Sequence, residues 1–157
     1  MMRHWLVSGL AQGATIVLYD GSPTYPGGDR LFRLAEDHGI TVFGVSPKFL
    51  AVCEKAKLEV SAKYRLAELR TILSTGAPLE ASQFRYIHQA IRPGAQISSI
   101  SGGTDIIGCF VLGNPISPVN AAQIQGPALG AVSYTHLRAH ETHSEIECRL
   151  RLEKKNG

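Results

Sequence analysis

The stretch Gln96-Ile97-Ser98-Ser99-Ile100-Ser101-Gly102-Gly103-Thr104-Asp105 runs from a β-prone half into two glycines, a hydroxyl and a carboxylate. Glycines at the carboxyl end of a strand let the backbone approach a ligand closely, because no Cβ intervenes. In open α/β sheets, that end of the strand is where ligands bind. The Thr104 hydroxyl suits a phosphoryl oxygen, and the Asp105 carboxylate suits a hard cation such as Mg²⁺, which takes oxygen ligands. Read alone, Ser101 to Asp105 is more simply a Gly-Gly-Thr-Asp turn between two strands. The residues around it decide between the two.

Working back from this stretch, strands and helices alternate. Ala95 to Ile100 is a strand, Glu80 to Ala90 a helix, and Leu69 to Ser74 a strand followed by the turn Thr75 to Leu79. A basic connector, Lys55 to Arg70, precedes that strand. Before it come a helix started by Ser46-Pro47, with proline at its first helical position, and a strand at Thr41 to Ser46. Asp29 is placed to cap a helix packing Leu31, Phe32, Leu34 and Ala35 and closed by Gly39. Thr15 to Tyr19 reads as a buried strand stopped by Asp20-Gly21, and Met1 to Leu10 as a helix that Gly13 ends. That first helix has no N-cap, so Met1 reads as an internal methionine. Beyond Asp105, residues 106–113 form another strand and residues 114–130 an extended segment rich in proline and glycine. The alternation predicts an α/β fold: a mostly parallel sheet flanked by helices.

In such a sheet the strand ends at Ser74 and Ile100 fall on one side. The loops Ser74–Leu79 and Ser101–Asp105 then face each other across a crevice. The first offers a flat backbone of small residues to a planar ring; the second offers amides, a hydroxyl and a carboxylate to phosphate and metal. Together they suit a nucleotide, although strand–helix turns commonly carry glycine with no ligand.

Composition narrows the classes. The 157 residues suit one globular domain, with 44% hydrophobic and 18% charged residues. A net charge of +3, scattered along the chain, implies neither a nucleic-acid nor a membrane surface. Cys53, Cys109 and Cys148 are too few and too irregular for a disulfide framework or a zinc site, which fits a reducing cytoplasm. No apolar run is long enough to span a bilayer, and the amino end is too weakly apolar for a signal peptide.

Five stretches carry a resemblance: MMRHWLVSGLAQGATIVLYDGSP, ITVFGVSPKFL, LRTILSTGAPL, SISGGTDI and QIQGPALG. In this order and register they resemble the adenylate-forming acyl-CoA ligase superfamily, most closely its acetoacetate-activating branch. The resemblance implies part of a large amino-terminal domain and two-step chemistry. A carboxylate and Mg-ATP give an acyl-adenylate and pyrophosphate, and the thiol of coenzyme A then displaces AMP. It implies that Gly76, Ala77 and Pro78 line the adenine, and that Gly102, Gly103 and Thr104 lie beside the acyl-adenylate, with Thr104 near the phosphate. Asp105 stands where most relatives carry a Mg²⁺-holding glutamate, one methylene longer. Ser101 stands where many carry an aromatic that covers the adenine, so that stacking contact is lost. Trp5 and Gly9 match the region walling the acyl pocket, although a lone tryptophan is more often core. Adenylation needs positioning and charge neutralisation, so no protein nucleophile is expected. His38 and His88 read as surface residues, and Cys53 and Cys109 as core.

The family's phosphate loop would precede Met1, and its ribose-binding aspartate, hinge and catalytic lysine would follow Gly130. Residues 1–131 therefore read as the central part of an AMP-binding domain truncated at both ends, without ligase activity as it stands. The alternatives are a non-catalytic α/β nucleotide-binding module and a ligase for acetate or propionate. From Val132 the character changes. VSYTHLRAHET places His136, His140 and His143 at a spacing that suits zinc, and CRLRLEKK suggests a basic amphipathic helix. The same peptide is what translation of a transposase-library sequencing adapter yields. Residues 132–157 are therefore expected to be a non-native, disordered tail.

Overall fold

A computed structural model describes residues 8–25, 27–103, 106 and 108–130. The expected tail at 132–157 and most of the first helix lie outside them. Residues 8–11 are helical, and Gly13, at φ +71°, ends the helix as expected. There Gly13 N–H donates to Leu10 O at 2.9 Å, and Ala14 N–H to Gly9 O at 3.0 Å.

Three parallel strands form the main sheet: β1 (Val42–Val45), β2 (Thr71–Ser74) and β3 (Gln96–Ser99), in that spatial order. The crossovers hold α1 (Arg30–Asp37) before β1, α2 (Pro47–Lys55) and α3 (Val60–Lys63) before β2, and α4 (Ala81–Tyr86) before β3. Alternation along the strands sends Phe43, Val45, Ile72 and Ile97 to one face, where they join Phe32 and Ala35 of α1, Phe49, Leu50 and Cys53 of α2, and Phe84 of α4. The Phe32 ring lies tilted 5.6 Å from Phe43 and 5.8 Å from Phe49. Every one of these helices therefore covers the same side. On the other side Val42 remains 46% exposed, while β3 is padded by the segment after β5.

Local chemistry explains most boundaries. Ser46 accepts the amide of Phe49 at 3.3 Å and Pro47 opens α2, as the sequence predicts. Glu80 and Gln83 form a reciprocal capping box at α4. Gln83 also donates to Pro47 O at 2.8 Å in the core, tying α4 to the start of α2.

Four expectations need correction. Asp29 precedes α1 but does not cap it: its backbone is itself helical (φ −94°, ψ −2°), and no capping bond forms. Its carboxylate instead takes the Lys63 ammonium at 3.3 Å and the Tyr64 hydroxyl at 3.1 Å. These residues belong to α3 and its cap, a short helix inside the stretch read as a plain connector; Val60, 1% exposed, anchors it. The helix expected to run from Glu80 to Ala90 passes after Tyr86 into a π-helical turn, Ile87–Ile91, closed by Arg92 N–H to Ile87 O at 2.9 Å. Finally, Thr15 to Tyr19, read as a buried strand, forms none and pairs with none among the described residues, and Leu18 is 72% exposed.

After Ile100 the chain enters a second, antiparallel sheet of β4 (Ser101–Gly103), β5 (Gly108–Leu112) and β6 (Gly126–Pro127). Its small core is Ile100, Cys109 and Ala128, with Leu112 packed against them. The proline-rich segment between β5 and β6 is held by side-chain amides. Asn114 Oδ1 accepts the Ile116 and Ser117 amides at 3.1 and 2.8 Å, while Gln125 donates to Asn114 O at 3.0 Å and Ser117 O at 2.7 Å. Gln96 of β3 reaches Asn114 O at 2.7 Å, and Ser98 accepts the Gly113 amide at 3.0 Å. These bonds dock the second sheet against the open face of β3.

Candidate functional site

The site begins where β2 and β3 end. Ser74 and Ser99 are register partners, and Ile100 N–H donates to Ser74 O at 2.9 Å, so pairing continues one residue beyond β3. The residues leaving both strands therefore start side by side. From β2 the loop is pinned at each end: Thr75 is 9% exposed and Leu79 4%. Between them Gly76, Ala77 and Pro78 are all exposed. Gly76 sits at φ +96°, a conformation that side-chain-bearing residues rarely adopt, and nothing lies within 4 Å of the position a Cβ would take. The result is a low ridge of backbone with open space beside it, a surface that suits the face of a planar ring.

From β3 the chain does not turn at once, as the loop reading expects. Ser101, Gly102 and Gly103 form β4, paired with Val111, Cys109 and Gly108, with a bulge between Ser101 and Gly102. This gives Gly102 a structural reason: a Cβ there would meet Gly108 O and sit 2.6 Å from Cys109 Cα. Gly103 has no such constraint, since its nearest contact would be Ile106 Cγ1 at 3.9 Å. Ser101 is exposed and presents no ring.

Of the expected site residues, Gly76, Ala77 and Pro78 follow β2, and Ser101, Gly102 and Gly103 follow β3, its neighbour in the sheet. Gly9 lies in the amino-terminal helix, half-buried, with Ile16 Cδ1 3.6 Å from where its Cβ would stand. Trp5, Thr104 and Asp105 lie outside the described residues. Among the described residues no cluster of histidine, cysteine or carboxylate side chains is built to hold a metal, and no helix is long and apolar enough to cross a membrane. His38 and His88 are exposed, as expected. Burial pushes the Cys53 thiol up to about 11 and also raises that of Cys109, so neither is a poised nucleophile.

Sequence reasoning missed one polar group here. Ser74 Oγ is fully buried at the base of the ridge and has no hydrogen-bond partner among the described residues. A serine ending a β-prone run gives no warning of this, because burial at that position depends on the helices packed above it.

Residues 1–140 match the family described as AMP-binding enzyme. The acetoacetyl-coenzyme A synthetase of Rhizobium meliloti (strain 1021) is 48% identical over 130 residues, covering 83% of this chain and 20% of that protein. A malonamoyl-CoA synthetase, vrtB of Penicillium aethiopicum, is 44% identical over 144 residues, again covering 83% of this chain and 20% of the relative. Among solved structures, the acetoacetyl-CoA synthetase from Streptomyces lividans superposes with a TM-score of 0.76 at 41% identity, over 82% of this chain and 20% of that one. The chain thus spans about a fifth of the length of these relatives.

Proposed function

We propose that this chain, which belongs to the AMP-binding enzyme family, forms the nucleotide-facing middle of an ATP-dependent ligase that activates acetoacetate for transfer to coenzyme A. The observation that supports the reading is the junction at Ser74 and Ile100, from which the exposed ridge Gly76–Pro78 and the glycine strand Ser101–Gly103 leave neighbouring strands. In this reading the adenine of ATP lies along Gly76, Ala77 and Pro78, and the acyl-adenylate lies against Gly102 and Gly103. Thr104 bonds the phosphate, Asp105 holds Mg²⁺, and Trp5 with Gly9 walls the acyl pocket. Mg²⁺, when bound, neutralises charge on the phosphoryl groups. The protein's part is to hold the acyl carboxylate oxygen in line with the α-phosphorus as pyrophosphate leaves, and later to admit the coenzyme A thiol as AMP leaves. The partners are small molecules, and the compartment is the cytoplasm.

The test replaces the matching fifth of the Streptomyces lividans protein with residues 1–130 of this chain and measures acetoacetate-dependent ATP–pyrophosphate exchange. Exchange within about tenfold of the parent is expected, falling at least about a hundredfold with Asp105→Ala, the scale of losing one transition-state electrostatic contact. A soluble, folded chimera without exchange overturns the reading.

The similarity to a malonamoyl-CoA synthetase favours a second reading of the acid. Acetoacetate and malonamate share a carbonyl at C3 and differ only in the methyl or NH2 group attached to it. The kcat/KM ratio of the chimera for the two acids, with acetate as control, decides which one the site prefers.

A further inference from the structure

Among the described residues, the Ser74 hydroxyl is the one buried side-chain polar group without a hydrogen bond. Folded proteins seldom strand such a group, because losing water without gaining a partner is costly. We propose that Ser74 is a positioning residue for the ligand on the ridge. When a planar ring lies along Gly76–Pro78, Ser74 Oγ accepts the Gly76 amide and latches the ridge in place. The inference rests on the nucleotide reading above and adds to it how the ridge is held.

The hydroxyl stands on a fixed base. Ser74 is paired with Ser99, and its carbonyl accepts the Ile100 amide at 2.9 Å. Strand alternation sends its side chain to the face of Ile72, beneath the helices. At 0% exposure it is out of reach of any ligand, so its influence on the site passes through the ridge.

The ridge is the looser half. Its far end is held by buried Leu79 and by the Glu80 amide, which donates to Gln83 Oε1 at 2.9 Å. Between the ends, the amides of Gly76 and Ala77 make no hydrogen bond among the described residues. A serine hydroxyl and the amide two residues on are the natural partners of a local turn. Closing it takes a rotation of the Ser74 side chain and a tilt of the peptide before Gly76. Gly76 tolerates that tilt, at φ +96° with open space around it. A ligand that favours the latched ridge then gains a bond that the empty ridge does not make. Removing the hydroxyl weakens the ligand and spares the empty protein, the reverse of what a purely structural serine does.

Two measurements on Ser74→Ala test this. In urea unfolding of the full chain, the midpoint should stay level or rise, because an unpaired buried hydroxyl gives way to a methyl. In the chimera carrying residues 1–130, KM for ATP in pyrophosphate exchange should rise about fivefold, the scale of one hydrogen bond. There kcat and KM for acetoacetate should stay within about twofold, as befits lost ground-state binding of the nucleotide alone. A lowered urea midpoint overturns the proposal, since the hydroxyl would then be bonded in the empty protein. An unmoved KM for ATP in an active chimera overturns it too. A folded parent chimera without exchange fails at the earlier step: it overturns the nucleotide reading itself, and the latch falls with it.

Discussion

A methyl group added at Gly102 would fall on the backbone of the neighbouring strand, 2.6 Å from Cys109 Cα, whereas one at Gly103 would make an ordinary contact. Gly102→Ala should therefore destabilise the chain by about 1–3 kcal/mol, the usual cost of overpacking, and Gly103→Ala by clearly less. Urea unfolding followed by far-ultraviolet circular dichroism compares the two directly. Equal costs would mean that β4 and β5 do not pair closely at this point. The two glycines look alike in the sequence. Only the pairing reveals that the first is required by the neighbouring strand and the second is not. Asp29 teaches the same lesson, since its position before α1 suggests a cap while its carboxylate reaches across to α3. The Lys63 hydrogen bond above all, aided by Tyr64, holds that carboxyl below the usual carboxylate range. A lowered folded-state value means the contribution is present above the unfolded carboxyl's pKa, near 4, and is lost as pH falls through the folded one. Asp29→Asn should remove that acid limb and cost under about 1 kcal/mol near neutrality, as suits a partly exposed pair. The difference in urea midpoint between wild type and variant, followed from pH 7 to pH 3, checks the sign. Cys53, fully buried, and Cys109 should resist alkylation at pH 8 until urea unfolds the chain, which peptide mass mapping would show.

The elements were legible wherever a short apolar run was bounded by strong punctuation. Gly39, at φ +58°, closes α1, Ser46-Pro47 opens α2, and Gly76 follows β2, so each neighbouring strand could be placed from the residues alone. The π-helical turn and α3 were not legible, because each owes its form to packing. The extra residue of the turn keeps Ile87, Ala90 and Ile91 buried together, and α3 rests on Val60 and the bonds to Asp29. β4 was hidden because two adjacent glycines read as a turn until a partner strand is present. Among the helix joints, Gln83 carries the largest expected effect, since it completes the capping box and donates to Pro47 O inside the core. Gln83→Ala should cost about 1–3 kcal/mol, the penalty for stranding a buried carbonyl together with a lost cap. A drop in urea midpoint with an unchanged slope would match that expectation. No drop would mean that water reaches the Pro47 carbonyl.

Across the whole molecule the helices cover one side of the main sheet, and apolar side chains stay on the surface at Val42, Ile106, Phe110, Ile116 and Leu129. Such surface favours association, so sedimentation velocity should show the average mass rising with concentration. A constant monomer mass across the range would contradict this. The α/β class followed from the order of elements. The antiparallel sheet did not, because its strands are short and are fixed by the amides of Gln96, Asn114 and Gln125, which carry no periodic signal. The passage of the chain at Ile100 from one sheet into the other has a kinetic consequence. β4 and β5 are close in sequence and can meet early, while the parallel strands are joined by long crossovers and must close large loops first. The ridge belongs to the slow half and the glycine strand to the fast one. On refolding of the whole chain, the pairing that holds the glycine strand would therefore close before the sheet that carries the ridge.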